Sequence, residues 1–213
     1  MRSNIQMLEI ELEELIKQAL KNGLTYPEYR VLVENHADSF TSTGHTQTEA
    51  LSNYTILNNR RMKRWDKTFK LSENHKNRIE QITAPLNWLI LTESWCGDAA
   101  HIIPVMNKLA ELSPNINLQI ILRDDNTQLM DAFLTNGAMS IPKLIIQDAE
   151  SKRILGSWGP RPSVAADLVD DYKAEKGLLT PDFKEELQIW YNNDKGQTTA
   201  EDIISLQEQL VQI

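Results

Sequence analysis

Glu93-Ser94-Trp95-Cys96-Gly97-Asp98-Ala99-Ala100 decides how this chain is read. Before it runs Leu86-Asn87-Trp88-Leu89-Ile90-Leu91, apolar and of strand length, and after it a helical pattern carries on to Leu112. Cys96 is the only cysteine among 213 residues. It has no partner for an internal disulfide, so cross-linking does not stabilise this fold.

Working outward, residues 117–122 read as a second strand closed by Arg123-Asp124-Asp125. Asn126 or Thr127 opens a helix over 128–134, and Asn136-Gly137 stops it. Residues 143–147 and 153–156 form two more strands around the turn Asp148-Ala149-Glu150-Ser151, and a helix follows from Arg161-Pro162-Ser163 to about Lys176. The order strand, helix, strand, helix, strand, strand, helix is that of an α/β layer with a parallel pair and a hairpin.

Helical patterns flank this unit. Ile5, Leu8, Leu12, Leu15, Ile16 and Ala19 line one face of a helix over 5–21, and Thr25-Tyr26-Pro27-Glu28 is a capping box for a second reaching His36. Residues 38–48 are polar and aperiodic, the pattern of a mobile loop. A long helix over 49–70 carries Arg60, Arg61, Lys63, Arg64, Lys67 and Lys70, read first as a solvated face and otherwise as an anion or partner site close to the thiol. Ser72 caps a short helix to Ile82. Thr180-Pro181 opens a helix to Tyr191, and Thr198 or Thr199 opens a last one ending near Gln212. The chain thus divides into an N-terminal helical extension (1–83), a central unit (84–176) and a C-terminal helical extension (177–213).

The formal net charge of −8 and pI near 5.1 argue against nucleic acid or an anionic membrane as partner. The first residues lack the apolar stretch of a secretory signal, and no apolar run approaches the ~18 residues of a membrane span. The expected setting is cytoplasmic. No phosphate-binding glycine loop or Gly-x-Ser-x-Gly elbow occurs. His36, His45, His75 and His101 lack metal-ligand spacing with Cys96, so neither metal nor cofactor is expected.

Three features together resemble the thioredoxin superfamily: Trp95-Cys96-Gly97 at a strand-to-helix junction, Pro104 eight residues later, and Ser140-Ile141-Pro142-Lys143-Leu144 ahead of an edge-pairing strand. With Gly156-Ser157-Trp158-Gly159-Pro160-Arg161-Pro162, they resemble a bacterial thioredoxin-like group with a single-cysteine Trp-Cys-Gly-Asp-Ala motif and no assigned role. The resemblance implies a thioredoxin-like fold over about 84–176: a mixed sheet of about four strands flanked by helices, with helical extensions at both ends. It also implies a helix bent at Pro104 and a cis peptide at Ile141-Pro142.

It implies a site as well. Cys96 takes the nucleophile's place, with Trp95, Gly97, Asp98, Ser140, Ile141 and Pro142 around it as substrate-binding residues. Ala99 stands where dithiol members carry the resolving cysteine, and Ile90 where thioredoxin has a buried aspartate. Dithiol disulfide reduction is therefore not expected. Two functions stay open: monothiol exchange or redox sensing with glutathione or a partner thiol, or a redox-inactive module that binds peptide in the groove. A helix N-terminus at Cys96 would favour its thiolate, while the Asp98 carboxylate would oppose it. Asp98 is expected as a helix cap and Trp95 as part of an exposed rim. His101, roughly 140° around a regular helix from the thiol, is expected at the surface.

Overall fold

The computed structural model describes residues 2–211, with side chains from Ile10 to Leu210. Four helices come first: α1 (Arg2–Asn22), α2 (Tyr26–Asp38), α3 (Glu49–Thr68) and α4 (Glu73–Glu80). The central unit follows as β1 (Leu86–Thr92), α5 (Ala99–Leu112), β2 (Ile116–Leu122), α6 (Thr127–Asp131), β3 (Lys143–Asp148), β4 (Ile154–Trp158) and α7 (Ser163–Lys176). Helices α8 (Pro181–Asp194) and α9 (Gln197–Val211) complete the described chain. The expected end near Gln212 lies outside the described residues, as do the side chains of Ile5 and Leu8. Among the described residues no helix is long and apolar enough to cross a membrane.

The sheet has the order β2-β1-β3-β4, with β1 and β2 parallel and the other two pairings antiparallel. This is the mixed α/β sheet expected from the sequence. All seven residues of β1 are buried, because helices cover both faces of the sheet. Ile90 pairs with Ile120 on one side and Leu144 on the other, so its position holds core rather than a buried acid. β3, which follows Pro142, is internal and pairs with the edge strand β4. A buried strand reads as a continuous apolar run wherever it lies in the sheet, so Leu144-Ile145-Ile146 could not reveal its neighbours.

Segments from the flanking helices meet both outer strands. Leu24, just after α1, exchanges two backbone hydrogen bonds of 2.8 Å with Ile120 of β2. Gly156 of β4 packs on Leu210 of α9. The Leu24 bridge pairs backbone at Ile120 that the β2 edge would otherwise leave open to another chain. Ile16, Tyr29, Met62, Tyr191, Ile203 and Ile204 share one apolar cluster with β1 and α5. Trp88 of β1 is fully buried, and its indole N–H donates to Gln207 of α9 at 3.0 Å. Side-chain caps at Thr25, Thr48, Ser72 and Thr180 open α2, α3, α4 and α8.

The 38–48 stretch is not a free loop. Ser42 and Thr43 are buried, and the Thr43 N–H donates to the Ser94 hydroxyl at 3.0 Å while the Ser94 N–H donates to the Thr43 hydroxyl at 2.7 Å. Thr43 is tied to the cysteine turn 51 residues away in sequence, while Gln47 bonds Ser42 and Gly44 within the stretch and His45 pairs with Asp125.

Candidate active site

The chain leaves β1 at Thr92, turns through residues 93–98 and enters α5 at Ala99. The turn closes with the Cys96 N–H donating to the Glu93 carbonyl at 3.1 Å. The Cys96 thiol donates to the Ile141 carbonyl at 3.3 Å. Ile141 and Pro142 are buried, and the peptide between them is cis. Trp95, Gly97 and Ser140 are half-buried around this centre. The end of β4 closes the far side: Gly159 has φ +115°, and a Cβ there would collide with the Pro142 carbonyl.

The thiol is only 7% exposed. Burial pushes it up to about 12, and the Asp98 carboxylate adds to the shift. The N–H groups of Ala99 and Asp98, together with Arg161, work the other way without overcoming burial. The sulfur therefore keeps its proton at neutral pH, in agreement with its role as donor to Ile141.

Asp98 does not cap α5: its backbone is already helical and its side chain makes no capping bond. One carboxylate oxygen accepts from the Tyr191 hydroxyl at 2.9 Å, and the other pairs with Arg161 at 2.7 Å. Burial raises its pKa, while Arg161 and Tyr191 hold it down. Partners on β4's outgoing loop and on α8 have taken the side chain away from the helix end.

His101 is likewise a correction. It faces away from the thiol but into α3 and α8, and is 2% exposed. Its Nδ1 accepts from the Trp65 indole N–H at 2.9 Å, so Nε2 carries the proton and donates to Gln188 at 2.7 Å. The ring stacks on Tyr191 at 4.5 Å and 2°. Burial lowers its pKa to about 3 and keeps it neutral. Helical geometry gave the direction; what lay in that direction was the terminal helices.

The opposite flank is polar. Ser94 hydrogen-bonds Thr43 and Thr55, and its carbonyl accepts from Asn58 at 2.9 Å. Glu93 is fully buried, with one oxygen accepting from the Asp124 N–H at 2.9 Å and the other unpartnered. Burial raises its pKa. Trp95 is not a bare rim residue: the Arg123 guanidinium lies over its ring at 5.0 Å. Of the basic helix, Arg61 reaches the turn, bonding Asn58 at 3.0 Å and lying 3.7 Å from where a Cβ on Gly97 would stand. Sequence reasoning missed Arg61, Glu93, Arg161 and Tyr191 as members of the site. Arg61 carried a signal as part of the basic helix, Glu93 through the stretch that holds the cysteine, and Arg161 through its Gly-Pro-Arg-Pro setting. Among the described residues no group of three or more His, Cys, Asp or Glu could hold a metal ion.

The family model described as thioredoxin matches residues 44–173. A crystal structure of a protein of unknown function from Pseudomonas aeruginosa is similar, with a TM-score of 0.56 and 19% identity over 74% of this chain and 85% of that one. An HIV epitope-scaffold protein matches with a TM-score of 0.58 and 18% identity over 91% of this chain and 97% of that one. At such identities the likeness concerns the fold. No curated protein matches. With the family model spanning well over half of its length, around a cysteine turn packed against Ile141-Pro142, the chain belongs to the thioredoxin family.

Proposed function

We propose that this chain acts by binding rather than by disulfide turnover, as a thioredoxin-fold protein whose single thiol stays protonated. The Cys96 thiol carries this reading: it is buried and directs its proton to the Ile141 carbonyl. A thiolate there would face that oxygen with the Asp98 carboxylate nearby. Ala99 offers no internal thiol to resolve an adduct. The binding surface is the rim of Trp95, Gly97, Ser140 and the exposed Met139, where an extended protein segment would lie beside the backbone before Pro142.

A second reading is monothiol exchange with glutathione or a partner cysteine. It is favoured by the Asp98 and Ala99 N–H groups directed at the sulfur. In that reaction the opened Cys96 thiolate attacks one sulfur of glutathione disulfide and expels the other as glutathione thiolate. An external thiol must then reduce the mixed disulfide.

Intact mass after incubation with oxidised glutathione at neutral pH separates the two. The binding reading expects no adduct on the folded protein and one adduct on the unfolded chain. A stoichiometric adduct on the folded protein would establish the exchange reading instead. A photo-crosslinking residue at Met139 tests the surface: crosslinks to protein are expected to survive Cys96→Ser, and their loss would tie capture to the thiol.

A further inference from the structure

The basic concentration on α3 leads to a second site on the other side of Trp65 from His101. A cavity of about 450 Å³ opens where the ends of α3 and α8 meet the start of α9. Its size falls within the roughly 300–1,000 Å³ of small-molecule sites. The charged groups lining it are Arg64, Lys70 and Lys195, with no carboxylate among them, in a chain of formal net charge −8. Among the described residues none of the three enters an ion pair. Asp194, beside Lys195 in sequence, is turned to the start of α9, where it accepts from the Thr198 N–H at 3.2 Å.

The walls are tied together. Gln197 donates through its side-chain amide to the Lys70 carbonyl at 3.3 Å and the Lys195 carbonyl at 3.2 Å, linking the two lysines' backbones across the cavity. Arg64 donates to Asn192 on α8 and stands 5.8 Å from the centre of the Trp65 ring. Gly196, at φ +74°, lets the α8–α9 turn press on Phe69 and Trp65, where a Cβ would meet Phe69 at 3.0 Å. Lysines at helix C-termini are favourable in their own right, which accounts for Lys70 and Lys195 singly. That preference explains neither Arg64, a full turn before the end of α3, nor the convergence of all three on one cavity.

We propose that this cavity binds a small phosphate-bearing molecule. Three cations without a carboxylate suit a dianionic head with several oxygens, and a guanidinium fork matches phosphate geometry. The edges of Trp65 and Phe69 accept the organic part. Calorimetric titration of the full chain tests it, with pyrophosphate and AMP as probes and adenosine and citrate as controls. AMP and pyrophosphate are expected to bind, adenosine at least about tenfold more weakly, as the loss of its charge-assisted bonds requires, and citrate more weakly than AMP because it offers no ring to the edges of Trp65 and Phe69. Arg64→Gln, Lys70→Gln and Lys195→Gln are each expected to weaken AMP by about tenfold, while Lys195→Arg retains it. These side chains are exposed, so the variants should melt as the parent does. Absence of heat with both probes at millimolar concentration would overturn the proposal. So would binding unchanged by all three glutamine variants, adenosine binding as well as AMP, or citrate binding as well as AMP.

Discussion

Asp98 and Arg161 form an ion pair of 2.7 Å that joins the turn after Cys96 to the loop leaving β4. Both side chains are largely buried, at 10% and 22% exposure. Breaking a buried pair from one side leaves a charge without compensation, at a cost of about 3–5 kcal/mol. Arg161→Met should therefore destabilise the protein by about 3 kcal/mol in denaturant unfolding. Adding Asp98→Asn should recover much of that loss. If the double variant were no more stable than Arg161→Met alone, the pair would not be what joins these segments.

His101 gives a pH dependence with a definite sign. Its folded-state pKa of about 3 lies below the ordinary 6.5, so between those values the unfolded chain binds a proton that the folded chain does not. Stability from this group is full above 6.5 and falls as pH is lowered toward 3. At pH 5 the loss is on the order of 2 kcal/mol. Glu93 and Asp98, whose pKa values burial raises, act in the opposite sense, so the comparison is with His101→Gln. That variant keeps an acceptor for Trp65 and a donor for Gln188. Its unfolding free energy should decline less than the parent's between pH 6.5 and 5, with His36, whose pKa burial also lowers, acting in the same sense in both proteins.

Ser94 binds the cysteine turn to the residues before α3. Its hydroxyl takes the Thr43 N–H at 3.0 Å and lies 2.8 Å from the Thr55 hydroxyl. Ser94→Ala leaves a buried N–H unpaired and should cost about 1–3 kcal/mol. Hydrogen exchange should quicken first at residues 41–48. Uniform quickening across the sheet, with 41–48 no faster than before, would show that the loop does not depend on this hydroxyl.

β1 and β3 were legible because each is a short apolar run between turn residues, buried enough to read continuously, whereas their neighbours in the sheet were not written in those runs. Cys96, Ile141 and Pro142 were brought together by resemblance, and their contact at 3.3 Å places them in one centre. What stayed hidden was long-range. Tyr191 reaches Asp98 across 93 residues, and Thr43 reaches Ser94 across 51. An aspartate before a helix has the same sequence whether it caps or pairs, and a histidine's neighbours on other helices leave no spacing to find. The state of the thiol followed from its burial in the folded chain, to which the residues next to it in sequence give no clue.

Alkylation by iodoacetamide as a function of pH measures directly whether folding keeps Cys96 protonated and out of reach. The native rate is expected to lie orders of magnitude below that of the unfolded chain and to show no plateau through pH 9, since burial pushes the thiol up to about 12. A native rate that matches or exceeds the unfolded rate at neutral pH, levelling off below pH 8, would contradict it.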